Sequence, residues 1–241
     1  MGPERGAEPE TGGTMMKCTA IVLAAGRGSR MKSDVQKQFM LLDGKPLLYY
    51  SLNCFQNSSL IDEIVLVTTD GMEEYCRKNV VGRYAFDKVS SVVTGGNERY
   101  DSVYAGLRAC SSPEFVFIHD SARPFITEDI LQRNYDTVQR TGACITAVPV
   151  KDTIKISDEN GCVEDTPARE KLWIVQTPQT FRYQLVKDAY EKCMAGDMRG
   201  ITDDAMVVEK AGGTKVVFSM GNYRNIKITT PEDLIMAEAF L

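Results

Sequence analysis

The chain has 241 residues, 43% of them apolar, enough to bury one sizeable core in a single domain. It holds 28 basic and 33 acidic residues, a net charge of −5, which excludes a protein that coats nucleic acid, because neutralising many phosphates needs a basic excess. One histidine (His119), cysteines without a C-x-x-C pair, and no run of about 18 apolar residues exclude a histidine-rich metal centre, a zinc ribbon and a membrane span.

Residues 1–14, rich in Gly, Pro and Glu, read as a disordered leader or tag remnant without the apolar stretch of a secretory signal. The folded domain is expected over residues 15–241. The seven cysteines are odd in number, and several sit in apolar segments, which predicts reduced core thiols in a cytoplasmic protein.

Cys18–Ala24 is a continuous apolar run that ends in glycines, as a buried parallel strand does. Residues 47–55 have helical spacing, with Pro46 suited to the first helical position. A second buried strand spans 63–68, a helix 72–81 and a third strand 89–93. Residues 99–110 read as a helix with Val103, Leu107 and Cys110 on one face. Residues 115–119 form a strand that ends at Asp120. Thr127 caps the next helix, which closes near Gly142, and a strand follows at 143–148.

The pattern breaks at 151–173, where two short segments, 153–157 and 162–165, flank an Asn160-Gly161 turn. This hairpin has little apolar content and must lean on something else, either a partner subunit or its own domain. Beyond it, helices are expected at 181–193 and after a Thr202 cap, and strands at 214–219 and 225–229. A last helix opens with Thr230 as cap and Pro231 at its first position. The expected fold is α/β: a Rossmann-like, mostly parallel sheet with helices on both faces and a protruding β-hairpin arm. Ligands then bind at the carboxyl ends of the strands, after Ala24, after Val93 and after His119.

The first of these places is a glycine loop, Ala24-Ala25-Gly26-Arg27-Gly28-Ser29-Arg30-Met31. Its glycines let backbone N–H groups approach phosphate oxygens, and Arg27, Arg30, Lys32 and Lys37 can neutralise a triphosphate. Met31 stands where a dinucleotide fingerprint needs its third glycine, which counts against a nicotinamide-dependent oxidoreductase.

LAAGRGSRM followed by Lys37-Gln38-Phe39 resembles the signature of nucleotidyltransferases that activate sugar phosphates. The whole set resembles the 2-C-methyl-D-erythritol 4-phosphate cytidylyltransferase family: GGNERYDSV from Gly95, HDSARP from His119, PVKDTIK from Pro149, TPAR from Thr166, QTPQ from Gln176, ITDDA from Ile201 and NIKITTPED from Asn225. The likeness covers essentially everything after Met16. Ribitol-5-phosphate cytidylyltransferases share the fold and much of the scaffold, and Trp173 with Thr153-Ile154-Lys155 tilts the likeness toward methylerythritol phosphate. A non-catalytic nucleotide-binding module is the remaining, distant alternative.

The resemblance implies cytidylyl transfer from CTP to a polyol phosphate in isoprenoid precursor biosynthesis, with release of pyrophosphate. It implies catalytic roles for Arg30, Lys37 and Lys227. It implies CTP binding by Ala24, Ala25, Gly26, Gly28, Gly96, Ser102, Asp120 and Ser121. It implies acceptor binding by Asp120, Arg123, Thr153, Arg169 and Thr177, with Arg99 as a structural clamp. Mg²⁺, or another divalent cation, is expected on Asp120, and His119 is expected to be structural. The resemblance also implies a homodimer in which the arm, with its acceptor residues, reaches the neighbour's CTP site. Two departures from the family pattern stand out. Gln36 sits where the family often has a proline, and Arg224 where some members carry an aspartate near the metal.

Overall fold

The computed structural model describes residues 17–26 and 36–241. The expectations for residues 1–14 and for Arg27, Gly28, Arg30 and Lys32 therefore lie outside the described residues.

Eleven strands and seven α-helices are set out among the described residues. In chain order they begin β1 (Cys18–Ala24), β2 (Leu41–Leu42), β3 (Lys45–Pro46), α1 (Leu47–Asn57), β4 (Glu63–Thr68), α2 (Glu73–Cys76), β5 (Val89–Thr94), α3 (Arg99–Ala109) and β6 (Phe115–Asp120). They continue α4 (Glu128–Thr141), β7 (Ala143–Pro149), β8 (Ile156–Ser157), β9 (Val163–Asp165), β10 (Trp173–Arg182), α5 (Tyr183–Met194), α6 (Asp204–Ala211), β11 (Val217–Met220) and α7 (Pro231–Glu238).

Seven strands form one sheet in the order β11-β7-β10-β6-β1-β4-β5. All pairings are parallel except those of β10, which runs antiparallel to both β6 and β7. Side chains alternate across β1 and divide the core into two layers. Cys18, Ala20 and Val22 pack with Leu48, Leu52 and Phe55 of α1 and Leu131 and Val138 of α4 on one face. Ile21 and Leu23 pack with α3, α5 and α6 on the other, through Leu107, Val186 and Val208. Burying one such Leu or Phe side chain contributes about 1.5–3 kcal/mol, so the double-sided core is the dominant stabilising term.

Several expectations need correction. The helix expected at 72–81 is two pieces, α2 and a π-helical stretch at Arg77–Gly82, rather than one regular helix. Pro46 is the N-cap of α1 rather than its first residue. Residue Phe181 belongs to β10, and α5 starts only at Tyr183. The cap of α6 is Asp203, whose carboxylate accepts from the Met206 N–H at 3.0 Å, not Thr202. β11 begins at Val217, three residues later than expected. Residues 225–229 are not a strand: the Ile228 N–H donates to Ala122 O, in the loop after β6, instead of joining a ladder. Thr127 does cap α4 by position, without a side-chain hydrogen bond, and Gly142 closes it at φ +76°.

The arm is a two-stranded hairpin of β8 and β9, separate from the main sheet. Asp158 Oδ1 accepts from the Asn160 and Cys162 N–H groups and folds the turn, with Gly161 at φ +80°. Ile154, Ile156 and Val163 are exposed along it. The seven cysteines are free thiols. Burial pushes those of Cys54, Cys110 and Cys144 up to about 12, so they stay protonated core groups. No helix among the described residues is long and apolar enough to cross a membrane.

Candidate active site

A cavity of about 640 Å³ opens at the carboxyl ends of β1, β4, β5 and β6. Parallel strands bring four loops together there, as expected of an open α/β sheet. Ala25 and Gly26 lie after β1, Gly95 and Gly96 after β5, and Asp120 and Ser121 at the end of β6. Lys37, Arg99, Ser102 and Lys227 complete the charged and polar wall.

The glycines after β5 are required by close approach. A Cβ on Gly95 would sit 2.5 Å from Ser102 Oγ, and one on Gly96 would sit 2.2 Å from Asp101 Cβ. Ser102 Oγ accepts from the Gly96 N–H at 3.2 Å and donates to Glu98 O at 3.3 Å. This bond ties the glycine turn to the first turn of α3. A capping box between Glu98 and Asp101 fixes the same helix end. The result is a rigid backbone edge of the kind that can read a nucleobase.

Asp120 is the electrostatic centre. Its Oδ2 receives a hydrogen bond from Lys227 Nζ at 2.6 Å, and its Oδ1 receives one from Arg99 Nε at 3.2 Å. Burial alone would raise its pKa, but the cationic Arg99 and Lys227 outweigh that and hold it well below the usual carboxylate range. Arg99 also makes a two-pronged contact with Asp204, through Nη1 to Oδ1 and Nη2 to Oδ2, both at 2.8 Å. Burial would lower the Arg99 pKa, yet the carboxylates of Asp204 and Asp120 raise it further above its ordinary value.

His119 lies beneath this layer, fully buried. Its Nε2 is 3.1 Å from Arg123 O, an acceptor only, so that nitrogen carries the proton. Nδ1 then accepts from Thr177 Oγ1 at 3.0 Å, and the same oxygen accepts from the Asp120 N–H at 3.1 Å. Burial pushes the His119 pKa down to about 4, which keeps the ring neutral and structural.

Eight expected residues line the cavity: Ala25, Gly26, Lys37, Gly96, Ser102, Asp120, Ser121 and Lys227. Ala24 lies just behind, with its carbonyl taken by Gln38 Nε2 at 2.6 Å. Thr177 supports Asp120 from below. Arg123 turns away from the opening, donating to Asn225 O at 2.7 Å and Val175 O at 3.3 Å. Thr153 and Arg169 are on the arm, exposed, and do not line this cavity; Arg169 Nη1 donates to Lys151 O. Gly28 and Arg30 lie outside the described residues.

Gln36, at the expected proline position, has φ −59°, which a proline also adopts. Its side-chain oxygen accepts from Gln38 Nε2 and Thr69 Oγ1 and ties the returning loop to the end of β4. Arg224 packs its guanidinium 4.9 Å from the Phe240 ring centre and donates to Phe240 O, so it braces the C-terminal segment. Asp204 and Gln179 were not singled out from sequence. The doubled acid of ITDDA, with one residue spent on the cap, is the signal that the second has another partner.

Among the described residues, no group of three or more His, Cys, Asp or Glu gathers as a metal cage. Among the described residues, Asp70, Glu98 and Asp120 are the carboxylates on the cavity wall. Such oxygen ligands fit Mg²⁺, an ion usually held by one or two carboxylates plus phosphate oxygens.

The family described as 2-C-methyl-D-erythritol 4-phosphate cytidylyltransferase (IspD) matches residues 18–241. A curated relative of that name from Lachnospira eligens is 48% identical over 224 residues, covering 92% of this chain and 98% of its own. The solved 4-diphosphocytidyl-2C-methyl-D-erythritol synthase from Anaerococcus prevotii superposes with a TM-score of 0.81 at 34% identity, over 93% of this chain and 96% of that one. The Francisella tularensis 2-C-methyl-D-erythritol 4-phosphate cytidylyltransferase gives 0.79 at 31% identity, over 93% and 100% of the two chains.

Proposed function

The chain belongs to the 2-C-methyl-D-erythritol 4-phosphate cytidylyltransferase family, and from that premise we propose that the cavity above Asp120 and Lys227 is where its reaction takes place. The enzyme transfers a cytidylyl group from CTP to 2-C-methyl-D-erythritol 4-phosphate and releases pyrophosphate.

An oxygen of the acceptor phosphate attacks the α-phosphorus in line. The new O–P bond forms as the α–β phosphoanhydride bond breaks, and its electrons leave with pyrophosphate. The acceptor is already an anion at neutral pH, so no base is needed. Catalysis then rests on positioning and charge neutralisation. Gly95, Gly96 and Ser102 hold the cytosine edge. Lys37 and Lys227 neutralise the phosphates, together with Arg30, which the family pattern assigns to the same task. Lys227 reaches them by exchanging its bond to Asp120 for one to phosphate. Asp120 would hold Mg²⁺, or another divalent cation, on the triphosphate, and when bound this ion offsets phosphate charge.

Thr153 and Arg169 bind the acceptor from the arm of a second copy in a homodimer. Their absence from the lining of their own cavity and the exposed apolar residues of the arm support this reading. We place the reaction in the cytoplasm, where the free thiols stay reduced.

The observation that carries the assignment is the Lys227–Asp120 pair set beside the Gly95–Gly96 edge in one cavity. Phosphorus NMR of the chain with CTP, Mg²⁺ and 2-C-methyl-D-erythritol 4-phosphate tests it. A diphosphate diester and pyrophosphate in equal amounts are expected. An unchanged CTP spectrum would overturn it.

A further inference from the structure

Asp204 is fully buried and pairs with Arg99 beside the cavity without lining it. Its Oδ1 receives Tyr190 Oη at 2.6 Å as well as Arg99 Nη1, and its Oδ2 receives Arg99 Nη2. Its backbone N–H donates to Gln179 Oε1 at 3.0 Å, which also receives the Ala205 N–H. Gln179 is on β10, and its Nε2 donates to the capping Asp203. The start of α6 is thus locked to the strand beside β6, and a carboxylate is aimed outward from that lock.

A guanidinium facing two carboxylates can serve either. Without Asp204, the Arg99 fork would close on both oxygens of Asp120, the better geometry for a lone pair of charges. Asp204 takes one N–H from each terminal nitrogen and so fixes the orientation of the guanidinium, which in this structure offers Asp120 only its Nε–H. Asp120 Oδ2 therefore stays turned to Lys227. We infer that Asp204 is a positioning residue for cytidylyl transfer: by holding the Arg99 fork, it keeps one oxygen of Asp120 free of the guanidinium, so that Lys227 is held there at the cavity before it passes to the triphosphate. This rests on the reading that the Asp120–Lys227 cavity is the active site.

The test is a kinetic double-mutant cycle on the full-length chain. Asp204→Asn keeps the shape but loses the charge, and kcat for pyrophosphate release should fall about 10- to 100-fold, the cost of displacing a catalytic group by about 1 Å. Asp204→Glu keeps the charge and should recover kcat to within about fivefold of the unaltered chain. In an Asp120→Asn background, adding Asp204→Asn should change kcat by less than about twofold, because the group it acts through is already lost. Independent, multiplicative effects of the two substitutions would overturn the inference. So would a lowered melting temperature with unchanged kcat in Asp204→Asn, the outcome of a purely structural ion pair. If Asp204→Asn does not fold, Arg99→Lys, which cannot bridge both carboxylates, replaces it in the same cycle with the same expected and contrary results. Absence of turnover in the unaltered chain would overturn the site reading and this inference with it, which separates that failure from the others.

Discussion

Lys227 Nζ lies 2.6 Å from Asp120 Oδ2, although 107 residues separate the two in sequence. The pair joins the end of β6 to the extended segment before α7, and it holds the lysine over the cavity in a part-exposed position. An ammonium held at one carboxylate can pass to a phosphate without crossing bulk water, which is the step proposed for Lys227. Lys227→Met removes that charge and should lower kcat about 10²–10³-fold. Arg99 remains on Asp120, so the fold should survive. Steady-state kinetics beside a thermal melt check both parts, and a kcat within twofold of the unaltered chain would contradict the role.

The glycine edge gives a second prediction. Gly96→Ala puts a Cβ 2.2 Å from Asp101 Cβ, so the start of α3 must move and the Ser102 bond to the Gly96 N–H must lengthen. The KM for CTP should rise about tenfold or more while the acceptor KM changes little, because only the base edge is displaced. Equal shifts for both substrates would mean that the edge does not read the nucleotide.

The arm gives a third. If each site combines one copy's cavity with the partner's arm, Arg169→Ala and Lys227→Met chains are each nearly inactive alone. Mixed and allowed to re-associate, half the dimers hold one copy of each, with one intact site of two. Activity should then return to about a quarter of that of the unaltered chain. No recovery on mixing would place the arm residues over their own cavity or in no site at all.

His119 sets a pH dependence. Its folded pKa, about 4, is below the ordinary 6.5, so between these values the unfolded chain binds more protons than the folded one. Stability is therefore full above about pH 6.5 and is lost as pH falls toward 4, by roughly 3 kcal/mol at 1.36 kcal/mol per pH unit. Urea midpoints across this range check it, and His119→Gln should flatten the slope. An equally steep slope in that variant would assign the effect to other groups.

The sequence revealed the parallel frame because buried runs such as Cys18–Ala24 and Phe115–Asp120 state their burial in composition. It did not reveal β10. That strand carries Gln176, Thr177, Pro178 and Gln179, polar or ladder-breaking residues whose side chains are satisfied only by tertiary partners such as Asn222, His119 and Asp203. The NIKIT segment misled in the opposite direction. Its alternation reflects packing of Ile228 against Leu42 and Leu47 with Lys227 turned to the cavity, while its backbone finds a loop carbonyl rather than a strand. Much of the described cavity wall was legible because glycines and charges at strand ends serve few structural purposes. Asp204 was not, because a carboxylate at a helix start reads as a cap until its neighbour is seen to be the cap.

The most direct test of the central claim is a side-by-side turnover measurement with CTP and Mg²⁺, using 2-C-methyl-D-erythritol 4-phosphate and ribitol 5-phosphate as acceptors, for the unaltered chain and for Lys227→Met. The account predicts pyrophosphate release with the first acceptor alone, reduced by two orders of magnitude or more in the variant. Release with ribitol 5-phosphate alone, or turnover untouched by the loss of Lys227, would contradict it.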